Sequence, residues 1–181
     1  MIGAHRTLVR LRNRVFTDLA RREFRALGAR SVIELPVRVW GAERISLGDD
    51  VVVGMGSWLQ ALDPCGDIVV GDRTTLARAC TISAVQRVEL GTALLIAGGV
   101  YIADHNHRRD DPVVPIRDQG VDDVAPVRIG DGTWVGQNAV VLAGSVIGAS
   151  SVVAANAVVR GHFPARSLIA GVPARAVRTI P

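Results

Sequence analysis

Aliphatic residues recur every six positions through most of the chain after residue 46, with polar and small residues between them. The residue after each aliphatic one is Gly, Ala or Ser in twelve of fifteen hexads, the exceptions being Gln60, Leu142 and Arg160. Chance does not produce this second regularity, so the hexads form an internal repeat. The repeated aliphatic positions are Leu47, Val53, Leu59, Val70, Leu76, Ile82, Leu90, Ile96, Ile102, Ile129, Val135, Val141, Ile147, Val153 and Val159.

Three consecutive hexads predict one triangular coil of about eighteen residues, made of three short strands joined by tight bends. Each coil can bury its aliphatic residues only against the coils above and below it, so the repeat predicts a β-helix. Small residues suit the bends, where the chain turns sharply. A length of 181 residues, with 49% hydrophobic and only 4% aromatic residues, predicts one domain with stacked aliphatic layers.

The repeat is interrupted at three places. We expect short excursions at residues 63–67 and 88–89, and a long inserted loop over about residues 108–128, which contains three Pro and a mixed run of charges. A long loop that leaves a regular solenoid is usually functional, so this one is expected to fold over a site.

Residues 4–28 lack Pro and predict an amphipathic α-helix, with Arg around its apolar face. Two roles stay open for this helix. It could cover the open end of the β-helix, where backbone groups would otherwise be unpaired, or it could contact an anionic membrane surface or a lipid-linked substrate. The predicted organisation is a helical extension, 1–30, followed by a β-helix domain, 31–178. The apolar residues near one helical face are Leu8, Leu11, Val15, Leu19 and Leu27.

All 21 basic residues are Arg, and the positive charge is concentrated at the N-terminus. Residues 1–30 carry eight Arg against Asp18 and Glu23, a net +6, which leaves −2 for residues 31–181 in a total of +4. A mildly acidic body without interleaved Arg and aromatic residues argues against nucleic-acid binding.

Two Cys, Cys65 and Cys80, without a signal peptide or a long apolar run, predict a cytoplasmic protein with reduced thiols. Contact of the helix with a membrane would make it membrane-peripheral.

Two of the four His lie in one motif directly before the inserted loop: Asp104-His105-Asn106-His107. Transfer of a group to a hydroxyl needs a base that is neutral near pH 7 and can hold the proton it takes, and imidazole fits. The alternative is a polar turn that only faces solvent. Asp104 could orient His105 or the acceptor, although adjacent residues on a strand point to opposite faces. An orienting group from another coil, such as Gln86 or Asp63, is the other possibility.

Three segments carry a resemblance to a known family. Residues 99–107, which end in the His motif, look like the active-site coil of bacterial polysaccharide, lipopolysaccharide and galactoside O-acetyltransferases of the hexapeptide-repeat superfamily. Residues 128–138 and 169–178 match the C-terminal pattern of that superfamily almost residue for residue. The resemblance covers about residues 33–178 and implies an all-β, left-handed parallel β-helix. The left hand comes from the resemblance and not from the period of six.

The resemblance also implies a function and its residues. It implies transfer of an acyl group, typically acetyl, from acetyl-CoA or another acyl-CoA to a sugar hydroxyl. His105 is then the general base of a direct transfer, and Asp104, Asn106, His107 and Gln86 are acceptor-binding or orienting candidates. Homotrimers with sites between subunits are typical of the superfamily, and no metal is expected.

In the superfamily, coenzyme A lies along the C-terminal coils. By position, the residues implied to bind it are Trp134, Gly136, Gln137, Ala155, Arg160 and Arg178. A guanidinium such as that of Arg178 suits the charge of a nucleotide phosphate. The stretch Val159-Arg160-Gly161-His162-Phe163-Pro164 departs from the frequent Val-Thr-Lys-Asp-Ile-Pro, which leaves Arg160 to supply the charge of the missing Lys.

Two rival functions are weighed against acyl transfer. A γ-class carbonic anhydrase shares the fold but needs three His around a catalytic metal, and a third suitably spaced His is missing here. A non-catalytic scaffold or assembly subunit also fits a regular β-helix. The combination of the His motif, the inserted loop and the C-terminal pattern argues against the scaffold.

Overall fold

Seven coils stack into a triangular prism, which a computed structural model describes over residues 2–62 and 64–181. Parallel strands of successive coils align into three sheets, one for each side of the prism. The first sheet contains the strands Ala26–Leu27, Ile45–Leu47, Ile68–Val70, Val88–Leu90, Val127–Ile129, Val146–Ile147 and His162–Phe163. The second contains Val32–Ile33, Val52–Val53, Thr75–Leu76, Leu95–Ile96, Trp134–Val135, Val152–Val153, Ser167–Gly171 and Ala174–Thr179. The third contains Arg38–Trp40, Trp58–Ala61, Thr81–Ala84, Tyr101–Ala103, Val140–Val141 and Val158–Val159.

The chain runs from the first sheet to the second, then to the third, and back to the first in the next coil. We call the bends between the second and third sheets, around Gly98, Gly99, Gln137 and Asn138, the second corner. The bends between the third and first sheets, around Asp104, His105, Gly144 and Gly161, are the third corner. The last strand, Ala174–Thr179, turns back antiparallel along Ser167–Gly171 and closes the C-terminal end. The predicted all-β, left-handed parallel β-helix is confirmed.

The core is a set of aliphatic columns along the prism axis. All fifteen repeated aliphatic positions are buried, each at 2% exposure or less. The columns also extend further than the repeat predicted, because Leu27 and Ile33 pair with Leu47 and Val53 in the first coil. A short 3₁₀ turn, Ala42–Arg44, separates this coil from the rest and hides its spacing in the sequence.

The N-terminal helix spans Ile2–Ala20 and lies across the first coil. It ends earlier than the predicted limit of residue 28, because Leu27 is a strand residue paired with Leu47. Its buried side is formed mainly by Asn13, Thr17 and Ala20.

Polar side chains of the helix hydrogen-bond to the free edge of the first coil. The hydroxyl of Thr17 accepts from the backbone N–H of Ile33 at 2.9 Å, and the side-chain oxygen of Asn13 accepts from that of Leu35 at 3.3 Å. These two N–H groups have no further coil to pair with, so the helix covers the open end of the prism. The apolar residues predicted to share one face lie on the outer side, where Leu8, Leu11, Val15 and Leu19 are 49–74% exposed.

The inserted loop leaves the fourth coil at the third corner as a β-hairpin. Its strands Asn106–His107 and Val121–Asp122 pair antiparallel, and a 3₁₀ turn, Ile116–Asp118, lies between them. The chain rejoins the first sheet at Val127, after the backbone N–H of Ala125 has donated to the carbonyl of Asp104 at 2.9 Å. The loop therefore begins and ends beside the His motif.

Candidate active site

The third corner holds a buried carboxylate fixed by its surroundings. Asp104 follows the strand Tyr101–Ala103 and is fully buried. Its carboxylate accepts three backbone hydrogen bonds, from the N–H groups of Val85 at 2.8 Å, Gln86 at 2.7 Å and Arg87 at 2.6 Å. Three donors from one bend hold the carboxylate in a single orientation.

The same carboxylate orients the imidazole of His105. The distance between Asp104 Oδ1 and His105 Nδ1 is 2.9 Å, and the His105 side chain is 10% exposed. Burial alone would raise the pKa of Asp104, but the hydrogen bonds from His105 and from the three backbone N–H groups outweigh it and hold that pKa below its ordinary value. An ionised carboxylate can only accept, so Nδ1 carries the proton that it shares with Asp104. In the neutral ring, Nε2 is then left with a lone pair that can accept a proton.

The expected orienting residues contribute in different ways. Asp104 contacts His105 directly, because the chain leaves the extended strand after Ala103 and the alternation of faces no longer applies. Gln86 takes part through its backbone N–H, which binds Asp104. Asp63 lies outside the described residues.

The other two residues of the motif lie on the hairpin of the inserted loop. The side-chain amide of Asn106 lies 3.5 Å from Asp123 Oδ2, and His107 is exposed on the same strand. A groove of about 480 Å³ opens beside them, lined by Asp123, Ala143, Gly144 and Arg160 among others. Asp123 also lies 3.8 Å from the guanidinium of Arg160. Sequence reasoning missed Asp123, since nothing local marks it as a partner of residues 17 and 37 positions away.

The residues implied to bind coenzyme A form a second cluster on the second sheet. Trp134 pairs with Val152, Val152 with Leu168, and Leu168 with Arg178, so Trp134 and Arg178 end one row across four adjacent strands. Residues next to this row along each strand, Val135, Val153 and Ile169, point into the core. Alternation therefore places Trp134 on the outer face, where it is 49% exposed. Arg178 is also exposed, on a strand whose pairing shifts by one residue between Leu168 and Ile169.

Gly136, Gln137 and Ala155 lie where this sheet meets the second corner. The backbone N–H of Gly136 donates to Val153 at 2.8 Å, and the carbonyl of Gln137 accepts from Asn156 at 2.9 Å. A Cβ at Gly136 would approach the nitrogen of Ala155 to 2.5 Å, so only Gly lets the two coils pack this closely. A groove of about 380 Å³ follows the second corner and is lined by Gly98, Gly99, Gln137 and Asn138 among others.

Within one chain the two clusters lie apart. Gln137 and Asn138 align with Gly98 and Gly99 before the third sheet, whereas His105 comes after it. About five residues of extended chain separate these corners, roughly 16 Å. Arg160 lies at the third corner, beside Asp123, and not with the other residues implied to bind coenzyme A.

The other titratable side chains were compared with the needs of a metal ion or a reactive thiol. In the described part of the chain, no group of three or more His, Cys, Asp or Glu side chains could hold a metal ion. Cys80 is packed at a bend of the second corner, where burial raises the pKa of its thiol to about 11.

No helix within residues 2–62 and 64–181 has the length and apolarity to cross a bilayer.

The stacked hexads and the C-terminal pattern define the class of this protein as hexapeptide-repeat. The profile of the family described as "Bacterial transferase hexapeptide (six repeats)" matches residues 126–161, and that of the "Hexapeptide repeat of succinyl-transferase" matches residues 26–61.

The chain is 34% identical over 154 residues to WbbJ of Escherichia coli (strain K12), which is assigned to lipopolysaccharide biosynthesis as an O-acetyl transferase. That match covers 81% of this chain and 78% of WbbJ. The chain belongs to the bacterial hexapeptide-repeat transferase family, which confirms the resemblance found in the sequence.

Two further comparisons agree with this placement. A protein of Mycobacterium tuberculosis (strain ATCC 25618 / H37Rv) assigned as an acetyltransferase is 38% identical over 135 residues, or 75% of this chain. This chain spans only 44% of the mycobacterial protein's length. The crystal structure of galactoside acetyltransferase in complex with coenzyme A is 25% identical, with a TM-score of 0.65, over 91% of this chain and 69% of the other.

Proposed function

We propose that the protein is an acyl-CoA-dependent O-acyltransferase that transfers an acetyl group to the hydroxyl of a sugar or of a polysaccharide precursor. The observation that carries this proposal is the Asp104–His105 pair, in which a buried carboxylate binds Nδ1 and leaves Nε2 available as a base. Two similar proteins support the acceptor class, since one is assigned to lipopolysaccharide O-acetylation and one is a galactoside acetyltransferase.

In the proposed reaction, His105 Nε2 accepts the proton of the acceptor hydroxyl while that oxygen attacks the thioester carbonyl. The imidazolium that forms is stabilised by the Asp104 carboxylate, which the bend at residues 85–87 keeps in place. When the tetrahedral intermediate collapses, the carbon–sulfur bond breaks and the proton on Nε2 passes to the leaving thiolate. The products are the O-acyl sugar and free coenzyme A, and no acyl-enzyme is formed.

Acetyl-CoA is proposed to lie along the second sheet toward the second corner. The extended pantetheine chain is proposed to pass the exposed residues Gln137 and Ala155, with Gln137 at the thioester end. Trp134 offers an apolar surface, and the guanidinium of Arg178 suits a phosphate. Arg160 lies at the third corner, so it is proposed to contact acetyl-CoA that is bound to a neighbouring copy of the chain.

We propose a homotrimer, because one chain holds the two clusters about 16 Å apart, at opposite ends of the third sheet. A neighbouring copy that presents its second corner to the third corner of the first would bring acetyl-CoA to His105. Closed symmetry then gives three equivalent sites. Sedimentation should give three times the mass of one chain. Co-assembly of His105→Ala and Arg178→Ala chains should recover turnover that each variant alone lacks.

The outer side of the N-terminal helix favours a peripheral membrane contact for this cytoplasmic enzyme. Leu8, Leu11, Val15 and Leu19 are exposed in one stripe, and the first thirty residues carry a net +6. An apolar stripe with basic surroundings suits a surface of anionic lipid. Co-sedimentation with phosphatidylglycerol vesicles should exceed that with phosphatidylcholine vesicles and should fall for Leu11→Gln/Leu19→Gln. Equal binding to both vesicle types by wild type would contradict this contact.

The decisive test of the activity is calorimetry with acetyl-CoA, combined with release of free thiol in the presence of a panel of sugars. Binding with sugar-dependent thiol release is the expected result. A folded protein that does not bind acetyl-CoA would contradict the proposal and leave the scaffold as the better explanation.

A further inference from the structure

The outer face of the third sheet collects most of the polar aromatic residues of the chain. The sequence has three Trp and one Tyr, and all but Trp134 lie on strands of this sheet, as Trp40, Trp58 and Tyr101. Their partners along the strand, Leu59 and Ile102, are fully buried, so alternation turns the aromatic rings outward. Trp40 is 57% exposed and Tyr101 is 39% exposed.

These rings form an aromatic surface with polar groups around it. The rings of Trp40 and Trp58 meet edge to face with centroids 5.3 Å apart, and the guanidinium of Arg38 lies 5.7 Å from the centroid of Trp58. Next to them is a groove of about 330 Å³, lined by Arg38, Ser57, Trp58 and Thr81 among others. Trp58 Nε1 is buried and has no hydrogen-bond partner within the described residues.

The aromatic surface leads toward the third corner. Arg38 aligns with Trp58, Trp58 with Thr81, and Thr81 with Tyr101, which begins the strand that ends directly before Asp104. Three strand spacings of about 4.8 Å separate the ends of this row, or roughly 14 Å.

Tyr101 connects the surface to the catalytic carboxylate. Tyr101 begins the strand that ends directly before Asp104. Burial raises the pKa of the Tyr101 phenol, and the negative charge of Asp104 raises it further.

We infer that the outer face of the third sheet, with Trp40, Trp58 and Tyr101 as its aromatic residues, binds an oligosaccharide acceptor and presents one unit of it to His105. This inference rests on the proposed function and specifies its substrate class. The apolar C–H faces of sugar rings bury well against aromatic rings, while hydroxyl groups need the kind of donors and acceptors that Arg38, Gln60 and Thr81 provide. A surface that extends roughly 14 Å across the third sheet fits several linked sugars better than one.

A second copy of this chain is the competing occupant of the face. The observations favour a saccharide, because polar and aromatic side chains alternate along the row Arg38, Trp58, Thr81 and Tyr101. In the other row, the polar side chain of Gln60 lies next to Trp40. The core of a protein–protein contact would be more continuously apolar.

The test is calorimetry and tryptophan fluorescence titration without acyl-CoA, so that binding is measured independently of turnover. The probes are maltotetraose, cellotetraose and chitotetraose, each compared with its monosaccharide. Wild type should bind at least one tetrasaccharide more tightly than the monosaccharide, and Trp40→Ala should weaken that binding about tenfold. Trp134→Ala is the matched control, because it removes a similarly exposed Trp from the neighbouring sheet and should leave saccharide binding unchanged.

Three results would overturn the inference. One is that no tetrasaccharide binds wild type, and another is that Trp40→Ala and Trp134→Ala weaken binding equally. The third is that Trp40→Ala lowers the sedimentation mass, which would identify the face as a contact between copies. Since acetyl-CoA binding and thiol release with a monosaccharide can succeed in each of these cases, failure here is distinguishable from failure of the proposed activity.

Discussion

The third corner and the second sheet are built from the same repeat, yet their structures suit the two proposed ligands in different ways. In the second sheet the coils stack without interruption, and small residues such as Gly136 bring backbone against backbone. At the third corner the repeat is interrupted in each of the first four coils, and a buried charge, Asp104, lies between two of these interruptions, the bend of residues 85–87 and the inserted loop. Regular coils thus offer a smooth surface for a long ligand, whereas interruptions create the polar anchor that a catalytic base needs.

The largest effect on stability is expected from Asp104→Asn, which replaces the charged acceptor of four hydrogen bonds. An amide has one acceptor oxygen, so in either orientation two of the four donors face its NH2 group, and the free energy of unfolding should fall by about 2–4 kcal/mol. Turnover should fall as well, because the imidazole loses its orientation. Urea unfolding and thiol release measure the two effects.

Asp123→Asn is the control for Asp104→Asn, because it makes the same change at the same corner on a partly exposed residue. The pH dependence gives a second check. The pKa of Asp104 lies below the ordinary 3.8, so its stabilisation is complete above that value and is lost as the pH falls through the depressed pKa. The gap in stability between wild type and Asp104→Asn should therefore close in acid, and a constant gap would contradict the assignment.

The second sheet should be sensitive to an increase in side-chain volume, whereas the third corner should be sensitive to the loss of a charge. In Gly136→Ala, the new Cβ would lie 2.5 Å from the nitrogen of Ala155 and 2.8 Å from the carbonyl oxygen of Val153. The coils must separate, so we expect a loss of about 1–3 kcal/mol in stability and weaker acetyl-CoA binding. Thermal unfolding and calorimetry test both, with Gly3→Ala as control, since a Cβ there would meet no atom within 4 Å beyond its chain neighbours and the backbone of its own helix. Unchanged binding by a folded Gly136→Ala would argue against this acetyl-CoA site.

The free end of the second sheet should depend on polar contacts of the helix more than on its leucines. Thr17→Val leaves the buried N–H of Ile33 without its acceptor and should cost about 1–2 kcal/mol. Leu19→Gln changes a side chain that is 74% exposed and should leave stability within about 0.5 kcal/mol. Chemical denaturation of the two variants tests this order. A larger loss for Leu19→Gln would mean that the outer stripe is packed in solution.

The smallest expected effect is a difference in thiol reactivity between the two cysteines. Cys80 belongs to the regular packing of the second corner, and burial raises the pKa of its thiol to about 11, whereas Cys65 is exposed in the short excursion before Ile68. The native protein should therefore react with a thiol reagent at one site per chain, and the denatured protein at two. Cys65→Ser should abolish the native reaction, and a persistent reaction would place Cys80 at an accessible surface.

The sequence predicted most of the fold because the prism places every sixth residue in the same environment. Fifteen aliphatic positions became the core columns, while Leu27 and Ile33 were missed because the turn Ala42–Arg44 shifts their spacing. The helix was expected from its apolar residues, but its buried side is determined by the unpaired backbone of Ile33 and Leu35, which no local pattern reveals.

The candidate site was less predictable than the fold. His105 stood out by its chemistry and by its position before the loop. Its partner Asp104 was one of several orienting candidates. The alternation of strand residues argued against it, but the strand already ends at Ala103, so the alternation does not apply to Asp104 and His105. The three donors at residues 85–87 are backbone groups, so their approach to Asp104 follows from coil geometry and not from side-chain identity.

The most direct test of the account compares turnover and acetyl-CoA affinity in His105→Ala, with His107→Ala as the neighbouring control. We predict that His105→Ala keeps the calorimetric affinity of wild type and loses about 10²–10⁴-fold in the rate of thiol release with a sugar acceptor. His107→Ala should keep most of that rate. Equal turnover in His105→Ala and wild type would contradict the assignment of His105 as the base.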